Sequence, residues 1–163
     1  MPEMGQMLKK TMLFFMISVM LILNFSESQA ENILATAKNA GSFKIFLNAI
    51  KTAGLEQKLS ASGPYTVFAP DDHAFSKLSG SEWEYFLNNK TALTRLLNYH
   101  IVAGKIKITE IKPGNIASLA GNLLRLKSDN GLVTVNGARV TQSDLLADNG
   151  VIHAIDNVLM PPD

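Results

Sequence analysis

The amino-acid sequence predicts an α+β domain in which helices come first along the chain and strands follow. Three observations lead to this fold class. Before residue 100, apolar residues recur with the period of amphipathic helices. After residue 120, short runs of strand-forming residues are separated by Asp-Asn-Gly and Asn-Gly turns. Residues 151–159 then form a long apolar run, which is typical of a strand covered on both faces.

The first predicted helices lie between residues 33 and 54. Gly41 is expected to end a short first helix, because glycine readily adopts the left-handed conformation found at helix C-termini. Ser42 is predicted to cap the second helix, and Gly54 to end it. One face of this second helix is marked by apolar residues at i, i+3, i+4 and i+7, namely Phe43, Phe46, Leu47 and Ile50.

A strand and three more helices are predicted in the middle of the chain. Residues 65–68 are strand formers that follow a Ser-Gly-Pro turn, and Pro70 is expected to end the strand. Asp71 then lies at an N-cap position and Asp72 in the first helical turn, where the helix dipole favours negative charge. Two further helices are predicted over residues 82–87 and 91–97.

The last third of the chain is predicted to form hairpins. Strands are expected over residues 123–127, 132–135 and 138–141. Asn-Gly pairs separate them, and these pairs favour two-residue hairpin turns because both central positions need a positive φ.

The first thirty residues have the pattern of an export signal. Lys9 and Lys10 precede an apolar run over residues 11–25, and Ser28 and Ala30 fit the small-residue positions of a signal-peptidase site. The alternative is a membrane anchor, but a spanning helix needs about 20 apolar residues and this run is shorter. The sequence therefore predicts a cleavable signal over residues 1–30 and one domain over 31–163. Such a protein is secreted, extracellular or periplasmic, and touches the membrane only through its transient signal.

Composition and motifs argue against several functions, although the absence of a motif does not by itself exclude an enzyme. The formal net charge is +1 without a basic stripe, which argues against a nucleic-acid partner. The chain has no cysteine, so neither disulfides nor thiolate chemistry are available. It carries no nucleophile elbow, Walker loop or dinucleotide-binding glycine motif. The sequence therefore predicts neither an enzyme nor a bound cofactor.

Three segments in order resemble the fasciclin domain family. They are Thr-Val-Phe-Ala-Pro-Asp-Asp-His-Ala-Phe at 66–75, Asn-Tyr-His-Ile-Val at 98–102, and Asn-Gly-Val-Ile-His-Ala-Ile-Asp-Asn-Val-Leu-Met-Pro at 149–161. The likeness extends over essentially all of residues 31–163. It implies a fasciclin-type fold, a compact wedge or sandwich of β-strands with several helices packed around it. The single copy resembles the secreted single-domain members of bacteria and archaea.

The resemblance also indicates a candidate partner-binding site at Asn98, Tyr99 and His100, because this region is linked to receptor binding in adhesion proteins of the family. Tyrosine offers rigid contact area and a hydroxyl, which suits an interface. The alternative is structural, with Tyr99 and His100 beginning a core strand that continues through Ile101 and Val102.

Other residues whose side chains could bind a metal or take part in catalysis have simpler interpretations. The three histidines lack the spacing of a zinc site, so no metal is predicted; His73 is expected on a helix surface and His153 in or near the core. Asp71 and Asp72 could form an acid pair, but helix capping explains both of them. Asn89 begins a glycosylation tripeptide, which matters only in a host with that machinery.

The function that follows is that of a secreted or surface-associated interaction module, serving cell adhesion or contact with an extracellular matrix. Its partner is expected to be an extracellular protein or polysaccharide, with homo-oligomers or many surface copies supplying multivalency. The alternative is an extracellular carrier of a small apolar ligand such as a pigment or lipid, since the chain is rich in Leu, Ile and Phe.

Overall fold

A computed structural model describes residues 31–163, and the predicted signal over residues 1–30 lies outside them. The described chain contains six α-helices, a short 3₁₀ turn and seven strands. The helices are α1 (Ile33–Ala40), α2 (Lys44–Ala53), α3 (Glu56–Ala61), α4 (Asp72–Ser76), α5 (Gly80–Asn88) and α6 (Lys90–Tyr99). The strands are β1 (Tyr65–Pro70), β2 (Ile101–Ala103), β3 (Gly114–Ala117), β4 (Leu123–Asp129), β5 (Leu132–Val135), β6 (Ala138–Ala147) and β7 (Gly150–Ile155).

The seven strands form one sheet in the order β2-β1-β7-β6-β5-β4-β3. Only β1 and β7 run parallel to each other, and the remaining neighbours are antiparallel. Strand β6 joins the two halves of the sheet, because it pairs with β5 at its start and with β7 over most of its length. Two register shifts and a positive φ of 56° at Asp144 bend β6 between these partners.

The parallel pair β1 and β7 lies between two hydrophobic cores. Val67 and Ile152 face the first core, which is built with the helices, whereas Phe68 and Ile155 face the second core, which is built with β4 and β5. All six residues of β7 are buried, as predicted for a strand covered on both faces. The strand ends at Ile155 and not at Leu159, because the chain turns away after Asp156.

The start of α2 differs from the prediction. Ser42 is not its cap: Phe43 occupies the N-cap position and makes no side-chain capping bond. Instead the carboxylate of Asp72 accepts a hydrogen bond of 2.8 Å from the backbone N–H of Ile45, and the N–H of Asp72 donates to the carbonyl of Ser42 at 2.9 Å. Asp72 lies in the first turn of α4, as predicted, and its carboxylate caps a second helix 27 residues away.

The hairpin turns are confirmed, but other elements are longer or additional. Asn130 and Asn136 have φ values of 47° and 49°, the left-handed conformation that such turns need. Strand β6 continues to Ala147 and not to residue 141. Helix α3 and strand β3 had no counterpart in the prediction, because each is short and lacks a clear apolar period.

Candidate functional site

Helix α6 positions the three candidate residues at its C-terminal end. The side chain of Asn89 caps the helix by accepting a hydrogen bond of 3.0 Å from the N–H of Ala92. Asn98 and Tyr99 are the last two residues of the helix, and His100 is its C-cap. The idea that Tyr99 and His100 begin a strand is therefore wrong, since β2 starts only at Ile101.

Tyr99 is buried, with 3% of its surface exposed, and it connects α6 to the second half of the sheet. Its hydroxyl donates to the carbonyl of Leu123 at 3.2 Å and accepts a bond of 2.7 Å from the side-chain amide of Asn136. The carbonyl oxygen of that amide accepts from the N–H of Arg125 at 2.7 Å. The Tyr99 hydroxyl thus holds the turn between β5 and β6 against the end of the helix.

His100 is also buried, with 1% of its surface exposed. Its Nδ1 lies 2.7 Å from the carbonyl of Leu96, and its Nε2 lies 2.9 Å from the N–H of Leu159. Because the carbonyl must accept and the N–H must donate, the ring is neutral, with its proton on Nδ1. Burial lowers the pKa of His100 to about 4, although the hydrogen bond to Leu96 opposes this shift. The ring thereby fastens the C-terminal tail to α6.

Asn98 is half-buried, in contrast to Tyr99 and His100. Its side-chain oxygen accepts a hydrogen bond of 3.3 Å from Nζ of Lys58. It also lies at one end of a groove of about 490 Å³, which we call the α6 groove and which is lined by Lys90, Thr91, Thr94, Arg95, Asn98 and Ala120. Of the three candidate residues, Asn98 borders the groove while Tyr99 and His100 lie beneath the surface.

His153 repeats the arrangement of His100 in the other half of the molecule. Its Nε2 lies 2.7 Å from the carbonyl of Ile106, and its Nδ1 lies 3.2 Å from the N–H of Asp144. Burial lowers the pKa of His153, against the opposing influence of Ile106 and of the Asp144 carboxylate. His73 is exposed on α4. Within residues 31–163, no group of three or more His, Asp or Glu side chains is placed to hold a metal ion.

The profile of the fasciclin domain matches residues 41–161. The chain belongs to the fasciclin domain family. Protein sll1483 of Synechocystis is 44% identical over 135 residues, a match that covers 82% of this chain and 75% of that protein. The transforming growth factor-beta-induced protein ig-h3 of Sus scrofa is 38% identical over 136 residues, covering 80% of this chain but only 19% of the relative.

A solved structure confirms the predicted fasciclin-type fold. The FAS1 domain pair from the insect cell adhesion molecule fasciclin I superposes with a TM-score of 0.64 at 16% sequence identity. The match covers 80% of this chain and 51% of that one. At this identity the likeness concerns the fold alone. Among the described residues of this fasciclin domain, no helix is both long enough and apolar enough to cross a membrane.

Sequence reasoning missed an exposed apolar surface on α5 of this fasciclin domain. The helix has a capping box between Ser79 and Glu82, whose hydrogen bonds lower the pKa of the Glu82 carboxyl, yet none of its nine residues is buried. Tyr85 is 58% exposed, and Met160 of the C-terminal tail is 41% exposed. Together with Phe86 they line a recess of about 400 Å³ that we call the α5 patch.

The α5 patch and the α6 groove adjoin the same C-terminal tail of this fasciclin domain. Met160 lines the patch, and two residues later the carbonyl of Pro162 accepts a hydrogen bond from Arg95, which lines the groove. The tail is also bound at Leu159 by the ring of His100. Trp83 and Phe86 of α5 pack against the first core, whereas Tyr85 is exposed, a difference that nothing in the sequence indicated.

Proposed function

We propose that the protein is an exported interaction module, and that its partner contacts the surface formed by the α5 patch and the α6 groove. The observation that carries the proposal is Tyr85 of α5, which is 58% exposed and shares a recess with Met160 of the tail, itself 41% exposed. Tyr, Phe, Met and Arg are enriched at protein interfaces, and Tyr85, Phe86, Met160 and Arg95 all lie on this surface. Family membership supports the proposal, since fasciclin I is described as a cell adhesion molecule.

In this proposal, Tyr99 and His100 position the partner-binding surface without touching the partner. Tyr99 fixes the C-terminal end of α6, where Asn98 borders the groove. His100 fixes the tail at Leu159, the residue before Met160 of the patch. Loss of the whole side chain of Tyr99, whose ring packs in the second core, or of His100 would therefore disturb the surface indirectly. Asn98 is the one member of the predicted site that we place in contact with the partner.

The partner that fits this surface is an extracellular protein with an apolar contact site. Tyr85 and Met160 offer an apolar anchor of the kind that dominates binding energy, while Lys90 and Arg95 in the groove favour acidic groups beside it. The predicted export signal supports an extracellular setting. We propose no catalytic role: both ring nitrogens of the buried His100 and His153 are held by backbone groups.

A second candidate function is the carriage of a small apolar ligand. The observation in its favour is an open, largely apolar recess of about 330 Å³ beside α1 and α2, with Leu34, Leu47 and Ile50 in its lining. This volume is at the lower end of the range of ligand sites, roughly 300–1,000 Å³. The two functions are separated by absorbance and mass spectra of the purified protein, which the carrier hypothesis predicts to reveal a bound ligand.

The proposed interface predicts a selective loss of binding. The purified protein is screened against matrix proteins, surface glycans and extracts of the cells that produce it. The variant Tyr85→Ser, Met160→Ser is expected to bind the captured partner about tenfold more weakly or worse, because apolar anchors carry a large share of interface energy. The matched control is Leu123→Ser, Leu146→Ser, which alters residues of similar exposure, 58% and 53%, outside the patch. If the control loses binding and the patch variant keeps it, the proposed surface is wrong.

A further inference from the structure

The outward face of strands β4, β5 and β6 carries three cations in a fixed arrangement. Strand alternation places Arg125 and Lys127 on the exposed face of β4, on either side of the buried Leu126. The register then aligns Lys127 with Thr134 of β5, and Thr134 with Arg139 of β6. The cations are therefore about 7 Å apart along the strand and about 10 Å apart across it, by ordinary strand geometry.

These positive charges are not neutralised by neighbouring side chains. Within residues 31–163, no Asp or Glu carboxylate lies within 4.0 Å of a Lys or Arg nitrogen; the one ionisable pair at that distance is the neutral His153 with Asp144. Asp129 is the outward carboxylate on β4, two positions beyond Lys127 at the end of the strand. The carboxylate of Asp156 accepts from the backbone N–H of Arg139 and from the side chain of Asn157. The three cationic side chains thus remain available to a ligand.

A shallow recess of about 490 Å³ runs beside the cations, between β4 and the edge strand β3. Its lining consists of Pro113, Gly114, Asn115, Arg125, Leu126 and Lys127. The register places Asn115 directly opposite Arg125, so an amide lies beside a guanidinium. Gly114 contributes no side chain, which leaves room for an extended ligand along the edge of the sheet. The face therefore combines fixed positive charge with uncharged hydrogen-bonding groups, Asn115 and Thr134.

The chemistry of this face selects one class of polyanion. No Phe, Tyr or Trp follows Tyr99 in the sequence, so the face has no aromatic platform on which nucleic-acid bases could stack. Recognition must therefore rest on charge and on hydrogen bonds to hydroxyl groups. We propose that the β4–β6 face binds an anionic polysaccharide, with its sulfate or carboxylate groups on Arg125, Lys127 and Arg139 and its hydroxyls on Asn115 and Thr134. This site goes beyond the proposed α5–α6 interface and shares no residue with it.

The test uses the purified protein with heparin as a sulfated probe and polygalacturonate as a carboxylated one, in calorimetry at pH 7.5. The variant Arg125→Gln, Lys127→Gln, Arg139→Gln is expected to bind at least one of the two polysaccharides about tenfold more weakly. Each lost ion pair at an exposed site weakens binding roughly twofold, and the three losses multiply. The control Lys38→Gln, Lys44→Gln, Lys51→Gln removes the same net charge from α1 and α2. It is expected to bind within about twofold of the original protein, because exposed charges more than about 10 Å from a ligand are screened.

Three results would overturn this site. They are an equal loss of binding in both variants, no binding of either polysaccharide to the original protein, or equally tight binding of polyglutamate or single-stranded DNA. Circular dichroism checks that the variants fold. If the triple variant does not fold, Lys127→Gln alone replaces it, with an expected loss of affinity of about twofold. The variant Tyr85→Ser, Met160→Ser should keep its affinity for polysaccharide. That result separates failure of this site from failure of the α5–α6 interface.

Discussion

Replacing Gly150 by alanine is expected to prevent the protein from folding. Gly150 pairs with Tyr65 in the parallel β1–β7 ladder at the centre of the sheet. A Cβ atom at position 150 would lie 2.1 Å from the backbone oxygen of Tyr65 and 2.7 Å from Cδ1 of Ile33. Backbone cannot move aside without breaking the ladder, so we expect a loss of roughly 4 kcal/mol or more, a large part of the stability of an ordinary domain.

The matched control for this substitution is Gly80→Ala at the first position of α5. A Cβ atom there has no neighbour within 4 Å, and alanine has the higher helix propensity. We expect this control to be neutral or slightly stabilising in urea unfolding. The Gly150 variant should yield no folded protein, or a melting temperature lower by roughly 15 °C. A Gly150→Ala protein that melts within a few degrees of the original would show that β1 and β7 are not so closely paired.

Acid is expected to destabilise the protein before most carboxylates are protonated. His100 and His153 each accept a backbone N–H on one ring nitrogen, and a proton on that nitrogen would break the bond. Burial lowers the pKa of both rings, in His100 from 6.5 to about 4. The unfolded chain therefore takes up protons below pH 6.5 that the folded protein does not accept. Stability is complete above the unfolded pKa and falls as the pH drops through this window.

The expected size of this effect follows from the shift at His100. A difference from 6.5 to about 4 corresponds to about 3 kcal/mol lost when the pH reaches 4, and His153 adds to it in the same direction. Urea unfolding between pH 7.5 and pH 4 measures the loss, and NMR titration of the His100 ring gives its pKa directly. The variant His73→Gln is the control for the loss of an imidazole, since His73 is exposed on α4. Constant stability from pH 7 to pH 4.5 would contradict neutral, buried histidines.

Features that depend only on a residue and its neighbours along the chain could be predicted from the sequence. The helix ends at Gly41 and Gly54 and the N-cap at Asp71 were predicted because each depends on the conformation or side chain of the residue itself. The Asn-Gly hairpins were predictable for the same reason. Capping of α2 by Asp72 could not be predicted, because that carboxylate belongs to a residue 27 positions further along the chain than the N–H it caps. Ser42, the local candidate, was therefore chosen wrongly.

The surroundings of the three candidate residues could not be predicted from the sequence. The sequence indicated Asn98, Tyr99 and His100 through their resemblance to a family motif, but burial depends on contacts with distant segments. Tyr99 bonds to the turn at Asn136, 37 residues away, and His100 bonds to the tail at Leu159, 59 residues away. Sequence periodicity contains no information on such contacts.

The α5 patch could not be predicted either, because the sequence does not show which helix residues stay exposed. An apolar period predicts a helix with one face in the core, and Trp83 and Phe86 of α5 do pack against the first core. Whether such a face is covered depends on which elements the topology brings against it. In this fold, Tyr85 remains 58% exposed, and Met160 of the tail lies beside it in the recess.

In the proposed function, the Tyr99–His100 pair supports a binding surface and does not itself touch the partner. Tyr99→Phe tests it most directly, because it removes one hydroxyl and leaves the buried ring. We expect a loss of about 1–2 kcal/mol in stability, since Asn136 and Leu123 lose a hydrogen-bond partner. Affinity for the partner captured in the binding screen, measured where both proteins are folded, should be unchanged, whereas Asn98→Ala should weaken it. A Tyr99→Phe protein of unchanged stability that no longer binds the partner would contradict the account and place the hydroxyl in the interface.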